Sequence, residues 1–303
     1  MSEKGSIADR LKNKFARMVD ETRYRIERKS YSKDLPPVDP TLQNSLDELK
    51  RQGLTIRTLD DLPFEANANL KQVLPEVAAY LNQLQTTEDT GYESGFSHCV
   101  PIPPKVIALK FPQLFFWGLD EQLLNFVENM VGLPIAYHGV VARQEIIDGQ
   151  VSGSRRWHID SEDREIIRIM IYLSDVLEDD DGPFEYIPMT ISPGYMDFNG
   201  VDLDFIPDRA MDDLVPKSEW KKVLGPSGTV LFLRPGKMFH RGSMPKTPRQ
   251  AISYYYTSRN PTNRELTLEN SFRSGIPYIS DEGLTSRHLE CLWEYKSQLG
   301  SAL

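Results

Sequence analysis

A histidine and an aspartate two residues apart, His158 and Asp160, stand in the stretch RRWHIDSED at residues 155–163. In an extended chain, side chains two positions apart point to the same face, so both could contact one ligand. Imidazole nitrogens and carboxylate oxygens are common ligands of divalent transition metals. A polar strand end can present the same pair by chance, so a metal site needs further partners elsewhere in the chain.

Few histidines could complete such a site, because the chain contains five in all. His240 lies in GTVLFLRPGKMFHRG (228–242), which reads as a pair of strands, and is the best placed partner. Two histidines and one carboxylate form the facial triad that holds non-haem Fe(II) and leaves coordination positions open. His98 and His138 lack a partner at ligand spacing, which favours structural roles for both.

An arginine after His240 indicates how a second ligand could be held. Arg249 opens the segment RQAISYYYTS (249–258), which is otherwise mostly apolar, so a surface position is disfavoured. Its planar guanidinium matches the two oxygens of a carboxylate. Ser253 lies on the same strand face and could donate a second hydrogen bond to that carboxylate. The chain therefore combines a metal-binding pattern with a carboxylate-binding pattern.

These residues belong to a series of motifs that resembles the Fe(II)/2-oxoglutarate-dependent oxygenase superfamily. The matching motifs, within residues 135–258, are WHID (157–160), IYLSD (171–175), DGPFEYIP (181–188), SGTVLFL (227–233), MFHRG (238–242) and RQAISYYY (249–256). The opening W-H-x-D is similar to phytanoyl-CoA dioxygenase-like members. The spacing from His240 to Arg249 and the R-x-A-I pattern are similar to prolyl-hydroxylase-like members.

The resemblance implies roles for individual residues. The ligands of Fe(II) would be His158, Asp160 and His240. Arg249 would bind the distal carboxylate of the cosubstrate 2-oxoglutarate, with Ser253 beside it. Tyr172, directly before Leu-Ser-Asp, matches a tyrosine that some members use on the same carboxylate, although Tyr172 and Ser253 could equally be hydrogen-bonded core groups. Gln144, on the preceding strand, is a further candidate for contact with 2-oxoglutarate or substrate.

The resemblance also implies a reaction. O2 and 2-oxoglutarate would be consumed, succinate and CO2 released, and an unactivated C–H bond of a small-molecule metabolite hydroxylated, with ascorbate helpful in vitro. Asp160 favours hydroxylation over halogenation, because halogenating members lack this carboxylate. Desaturation, cyclisation or hydroxylation of a protein side chain would use the same cofactors. A jelly-roll binding or sensor domain without turnover is the alternative from another class.

Four residues near the first motif could contact substrate, and each has a plainer alternative. Arg168 could hold an anionic group at the mouth of the barrel, but a solvated arginine near a strand end is favoured. Arg155 and Arg156 receive the same interpretation, since RRWHID could lie on the surface. Trp157 could line the substrate site, although packing in the core is favoured.

The elements that must position these residues change character at Pro134. Before it, apolar residues at helical spacing predict helices at 7–28, 42–51, 70–85 and 120–131. After it, strand-like runs occur at 135–147, 154–160, 165–176, 182–188, 228–233, 237–242 and 249–258. A helix is predicted at 284–299. Successive strands without intervening helices predict a sandwich or barrel, and the resemblance narrows this to a double-stranded β-helix, or jelly roll.

We therefore expect one mainly β domain over residues 1–303 with flanking helices. Its parts would be a mostly helical N-terminal region (1–134), a jelly-roll core (135–258) and a C-terminal helical extension (259–303). Residues 189–227 interrupt the strand series, and an insertion of that length in a compact domain is usually functional, for example as a lid.

Composition and short sequence features indicate which partners and which cellular location to expect. The chain is 40% hydrophobic and 26% charged, as in ordinary globular proteins, and its net charge of −9 argues against nucleic acid as a partner. No apolar run approaches the ~20 residues of a membrane span, and the N-terminus lacks a signal-peptide core, so we expect a cytoplasmic protein. Cys99 and Cys291 are expected to be buried thiols. The run EDDDG (178–182) is expected to be a solvated turn rather than a calcium loop, and the sequence does not indicate an oligomeric state.

Overall fold

The computed structural model describes residues 7–84, 98–151, 153–198 and 206–292. The helices in these ranges are α1 Ile7–Tyr31, α2 Gln43–Gln52, α3 Asn67–Gln83, α4 Pro104–Lys110, α5 Pro112–Trp117, α6 Glu121–Val131, α7 Asp208–Leu214, α8 Arg264–Glu269 and α9 Ser286–Cys291. The strands are β1 Leu54–Thr58, β2 Cys99–Pro101, β3 Ile135–Glu145, β4 Ile167–Tyr172, β5 Phe184–Tyr186, β6 Lys221–Val223, β7 Thr229–Leu233, β8 His240–Gly242 and β9 Gln250–Ser258.

The strands form two antiparallel sheets. The major sheet has the order β1-β7-β4-β9-β3-β2, and the minor sheet has the order β6-β5-β8. Apolar side chains of β4, β7 and β9 meet those of β5 and β6 in one buried cluster, so the minor sheet covers one face of the major sheet. This double-layered antiparallel arrangement confirms the predicted jelly-roll core with flanking helices.

The major sheet has one face against the helices and one against the minor sheet, because side chains alternate along a strand. On β4, Ile169 and Ile171 lie in the large core shared with α3, α5 and α6, whereas Met170 and Tyr172 face the minor sheet. On β9, Tyr254 and Tyr256 join the helical core and Tyr255 points to the other side. The tyrosine run is therefore divided between the two faces.

The region before Pro134 is mostly helical, as predicted, but it also supplies both edge strands of the major sheet. Gly53 ends α2 in the left-handed conformation, with φ of 81°, and turns the chain directly into β1. β1 then pairs with β7 and β2 with β3. Neither strand was predicted from the sequence, because each is short and its partner lies far away in the chain.

The segment 154–160, predicted as a strand, is not one. Its first residues form a 3-10 turn at Gly153–Arg155, and Trp157 and His158 each make a single isolated bridge, to Ile206 and His240. Among the described residues, these two bridges are the segment's only strand-type pairings, and they do not extend into a ladder. The predicted helix at 284–299 begins as α9, and its residues after 292 lie outside the described ranges.

Residues 189–227, predicted as an insertion, contain α7, a 3-10 turn at Lys217–Glu219 and β6, while 199–205 lie outside the described ranges. β6 pairs with β5, so the end of this segment belongs to the minor sheet rather than to an insertion. Met211 and Val215 pack with Trp157 in a separate apolar cluster. A role of the remaining residues as a lid stays a prediction.

Three further features of the described residues bear on the sequence predictions. Cys99 and Cys291 are buried free thiols, as expected. None of the described helices combines the length and the apolar character that crossing a bilayer requires. Asp179–Asp181 form a 3-10 turn in which Asp180 pairs with Lys246, in agreement with the solvated turn predicted there.

Candidate metal centre and carboxylate pocket

Three side chains separated in the sequence meet at one point: His158, Asp160 and His240. The Oδ1 atom of Asp160 lies 3.7 Å from Nε2 of each histidine. One potential ligand atom of each residue lies within 4.8 Å of those of the other two. The structure thus brings together the three residues that the sequence predicted as metal ligands.

The two histidines are positioned by a single antiparallel bridge. His158 donates from its backbone nitrogen to His240 O at 3.1 Å, and His240 donates in return to His158 O at 3.0 Å. Residues paired in this way carry their side chains on the same side, and the ring centroids lie 4.3 Å apart. This bridge, rather than a continuous strand, places the motif beside β8.

The orientation of both imidazoles is set by backbone carbonyls. Nδ1 of His158 donates to Arg156 O at 2.8 Å, and Nδ1 of His240 donates to Met238 O at 3.2 Å. A carbonyl only accepts hydrogen bonds, so in each neutral ring the proton lies on Nδ1 and Nε2 carries the lone pair. Both rings therefore present the nitrogen that a metal ion would need.

The charge states of His240 and Asp160 also suit a cation. Burial, with a contribution from nearby His158, lowers the pKa of His240 to about 3, so its ring is neutral at physiological pH. Burial opposes ionisation of Asp160, but the positive charge of Arg168 outweighs it, together with the two histidines, and lowers the pKa of Asp160 to about 2. Asp160 is consequently ionised.

Arg168 holds the oxygen of Asp160 that does not face the histidines. Its Nε donates to Oδ2 at 2.7 Å, and its Nη2 donates to Oε1 of Glu162 at 3.0 Å. The guanidinium carbon also lies 4.2 Å from the centre of the Tyr255 ring. The interpretation of Arg168 as a solvated arginine near a strand end is therefore wrong, because its charge is bound to two carboxylates.

This donor set fits a non-haem Fe(II) ion. Two imidazole nitrogens and one carboxylate oxygen are the ligands of the facial triad. The Nδ1 hydrogen bonds and the ion pair with Arg168 are the outer contacts that typically fix such ligands. His158, Asp160 and His240 could therefore hold the metal.

Arg249 lies in the interior between the two sheets and is almost fully buried, with 3% of its surface exposed. Its Nη2 lies 3.0 Å from Oε1 of Glu145, and its Nη1 donates to Gly182 O. Its Nε has no hydrogen-bond partner among the described residues, and neither has the buried hydroxyl of Ser253 on β9, the strand that begins directly after Arg249. Buried polar atoms are usually paired, so both groups could receive a ligand.

A cluster of guanidinium groups surrounds Glu145. Arg143 Nε lies 3.4 Å and Arg155 Nη2 lies 3.7 Å from its carboxylate. Burial raises the pKa of Glu145, but Arg249 and Arg143 outweigh this and lower it to about 2. Because Arg155 also pairs with Asp148, three guanidinium groups face two carboxylates. The surplus positive charge makes this interior suitable for one more anionic group.

Arg155 itself is buried, contrary to the surface position expected from the sequence. It donates to the backbone oxygens of His98, Ile146 and Gln150 as well as to Asp148. These bonds tie the turn before WHID to the end of β3. Arg155 is thus a structural clamp that the sequence did not reveal.

Two residues predicted for the cosubstrate have other partners. The hydroxyl of Tyr172 donates to Val223 O at 3.0 Å and accepts from the Phe184 nitrogen at 3.1 Å, which links the two sheets. Gln144 faces the helical side of β3, opposite Gln250, whose amide donates to its Oε1 at 2.8 Å. The structure therefore does not bring Gln144 to Arg249 and Ser253, because strand alternation turns it to the opposite face of β3.

The structure places Trp157 in the core and Arg156 at the surface. Trp157 is fully buried, packs edge-on against Trp220 and lies under the guanidinium of Arg241, so the core position favoured from the sequence is observed. The side chain of Arg156 is exposed and donates to Val151 O at 3.1 Å.

His138 and His98, which lie outside the candidate metal centre, have polar partners. Nε2 of His138 lies 2.7 Å from Oγ1 of Thr257, and Nε2 of His98 lies 3.0 Å from Oγ of Ser154. His98 is also close to Cys99 and Glu145 in a second group of potential ligands. The arginines around Glu145 oppose a cation there, so we assign no metal to this group.

The fold is similar to several solved structures. HygX from Streptomyces hygroscopicus, with nickel, 2-oxoglutarate and hygromycin B bound, is 16% identical with a TM-score of 0.47, over 72% of this chain and 87% of HygX. EctD from S. alaskensis, with 2-oxoglutarate and 5-hydroxyectoine, is 13% identical with a TM-score of 0.49, over 81% of this chain and 93% of EctD. EvdMO1 is 14% identical with a TM-score of 0.47, over 73% of this chain and 50% of EvdMO1.

HygX has also been solved with iron bound, at 15% identity and a TM-score of 0.46. No protein-family model matches the chain, and no curated protein matches it. Because identities and TM-scores are this low, we infer the function of this chain from its own residues.

Proposed function

We propose that this protein is an Fe(II)- and 2-oxoglutarate-dependent dioxygenase that hydroxylates a small-molecule metabolite. The observation that carries the proposal is the convergence of His158, Asp160 and His240 within ligand distance. The buried arginine cluster around Arg249 supports it, because a dicarboxylate cosubstrate needs a cationic partner for the carboxylate remote from the metal.

When bound, Fe(II) couples the oxidative decarboxylation of 2-oxoglutarate by O2 to oxidation of the substrate. The protein itself orients the cosubstrate relative to the metal ligands. Arg249 and Ser253 bind the distal carboxylate of 2-oxoglutarate and so orient the 2-oxo acid group towards the metal ligands. Burial between the sheets excludes water and strengthens each of these polar contacts.

The presence of Asp160 favours hydroxylation over halogenation, since its carboxylate takes the place that a halide would need. Desaturation or cyclisation would use the same residues and differ only in how the substrate lies. The mass of the product separates these outcomes, because hydroxylation adds one oxygen whereas desaturation removes two hydrogens. A protein side chain as substrate is tested in the same assay with peptide panels.

A test of the proposal begins with binding, because the substrate is not identified. Protein purified without metal is titrated with Mn(II) and then with 2-oxoglutarate, and both affinities are measured by calorimetry. We expect His240→Ala to lose Mn(II) affinity, and Arg249→Gln to retain it but to lose 2-oxoglutarate affinity. Arg259→Gln serves as a control, because this arginine pairs with Glu290 outside the pocket.

Turnover is then measured as succinate released with Fe(II), ascorbate, O2 and a panel of metabolites. Succinate formation that is lost when His158, Asp160 or His240 is replaced supports the dioxygenase proposal. Tight metal binding without affinity for 2-oxoglutarate would contradict it and favour a jelly-roll binding domain without turnover.

A further inference from the structure

Asp160 uses its two carboxylate oxygens for different partners. Oδ1 lies 3.7 Å from both Nε2 atoms of His158 and His240. Oδ2 accepts a hydrogen bond of 2.7 Å from Nε of Arg168. One oxygen is thus directed into the metal-binding group, and the other is held outside it by a cation.

Arg168 is itself held from several sides. Its Nη2 donates to Glu162 at 3.0 Å, and Glu162 in turn accepts from Asn270 at 3.0 Å. The guanidinium lies over the ring of Tyr255 at 4.2 Å and near that of Phe272 at 5.9 Å. An arginine fixed by an ion pair and a ring face has little freedom to follow a carboxylate that rotates.

We propose that Arg168 is a positioning residue that restricts Asp160 to giving the metal one oxygen, Oδ1, by holding Oδ2. This inference rests on the proposed function and concerns the number of positions left open on the metal. With two imidazoles and one carboxylate oxygen, a six-coordinate ion keeps three positions. The 2-oxo acid would need two of these positions and O2 the third, so a second oxygen from Asp160 would remove a position that the proposed reaction needs.

The guanidinium has a second consequence for Asp160. Its charge stabilises the carboxylate and draws electron density from it, so that Asp160 is a weaker donor to the metal than an unpaired aspartate. In this proposal Arg168 does not need to contact the substrate. Its contribution acts through Asp160.

The experiment counts water molecules on bound Mn(II) by water-proton relaxation. The wild-type protein is expected to keep three, and 2-oxoglutarate should displace two of them. In Arg168→Met, Asp160 is free to bind through both oxygens, so the relaxation enhancement should fall by roughly one third. The affinity of this variant for 2-oxoglutarate should fall about tenfold.

Two further variants separate positioning from folding. Arg168→Lys keeps a cation near Oδ2 and should restore part of the wild-type relaxation. Glu162→Gln removes the carboxylate that anchors Arg168 and should give an intermediate value, and it remains informative if Arg168→Met does not fold. Arg259→Met, at a surface ion pair, is the matched control and should behave as wild type.

The outcomes separate the two proposals. If the folded Arg168→Met and Glu162→Gln variants both match the wild type in relaxation and in 2-oxoglutarate affinity, Arg168 does not position Asp160, whereas the dioxygenase proposal stands. If the wild-type protein binds neither Mn(II) nor 2-oxoglutarate, the dioxygenase proposal fails, and this inference fails with it.

Discussion

Arg249 and Glu145 form a buried ion pair in which Nη2 of the arginine lies 3.0 Å from Oε1 of the glutamate. The arginine proposed to bind the cosubstrate is therefore partly neutralised by the protein itself. Arg143 and Arg155, close to the same glutamate, leave a surplus of positive charge for an incoming carboxylate. Changes at the two members of the pair should consequently shift 2-oxoglutarate affinity in opposite directions.

Replacing Arg249 should weaken 2-oxoglutarate binding without affecting the metal. We expect Arg249→Gln to raise the dissociation constant about 10- to 100-fold, since hydrogen bonds to charged groups contribute roughly 1.5–3 kcal/mol. Arg249→Lys should recover part of this loss, because it keeps the charge but not the planar fork. Calorimetric titration of the Mn(II)-loaded protein measures the dissociation constants of both variants. Unchanged 2-oxoglutarate affinity in Arg249→Gln would show that Arg249 does not bind the cosubstrate.

Replacing Glu145 should have the reverse effect on affinity. In Glu145→Gln, Arg249 loses its internal counter-ion, so 2-oxoglutarate should bind several-fold more tightly. The same change leaves buried guanidinium groups without a compensating charge, and the free energy of unfolding should fall by about 3 kcal/mol. Titration and urea denaturation give the two quantities, and weaker 2-oxoglutarate binding by the folded variant would contradict the competition between the two carboxylates.

Ser253 offers a test of the proposed second donor. Its buried hydroxyl has no partner among the described residues, so Ser253→Ala should leave the free energy of unfolding within about 0.5 kcal/mol of wild type. If the hydroxyl donates to the cosubstrate, 2-oxoglutarate affinity should fall about tenfold. Denaturation and 2-oxoglutarate titration of the wild type and of Ser253→Ala test both expectations. Equal 2-oxoglutarate affinities of the two proteins would show that Ser253 does not contact the ligand.

Tyr172 should act on stability rather than on the cosubstrate. Its hydroxyl joins the Phe184 nitrogen and the Val223 oxygen, and Tyr172→Phe leaves both backbone groups without this partner. We expect the free energy of unfolding to fall by about 1–3 kcal/mol, with unchanged 2-oxoglutarate affinity. A large loss of affinity at unchanged stability would instead assign Tyr172 to the carboxylate.

The buried histidines should make the stability of the metal-free protein depend on pH. Burial lowers the pKa of His138 to about 3, below the ~6.5 of an exposed histidine. Between these values the unfolded chain binds a proton that the folded protein does not, so the free energy of unfolding falls as pH decreases. Each such histidine contributes up to about 1.4 kcal/mol per pH unit.

His138→Gln should therefore reduce the slope of unfolding free energy against pH between pH 6 and 4, while His240 still contributes to it in both proteins. Urea denaturation at a series of pH values, with a chelator present, measures the slope. An unchanged slope would mean that His138 is already protonated in the folded state.

The amino-acid sequence by itself determined which residues could form the metal site and in what order they occur. His158 and Asp160 lie two residues apart in one short motif, and Arg249 follows His240 closely in the chain, so local spacing and residue type were sufficient to nominate them. Apolar periodicity also predicted helices such as α6, expected at 120–131 and observed at Glu121–Val131. These features depend on residues close together in the chain.

Only the tertiary structure decided which partner each polar side chain has. Strand parity placed Arg168 on the interior face, but its bond to Asp160 depends on how the irregular WHID segment lies against β8. The register between β3 and β9 brings Glu145 beside Arg249. Gln144, next to Glu145 on β3, points to the opposite face and meets Gln250 instead. Such contacts join residues far apart in the chain, and they are set by the packing of whole sheets rather than by local sequence.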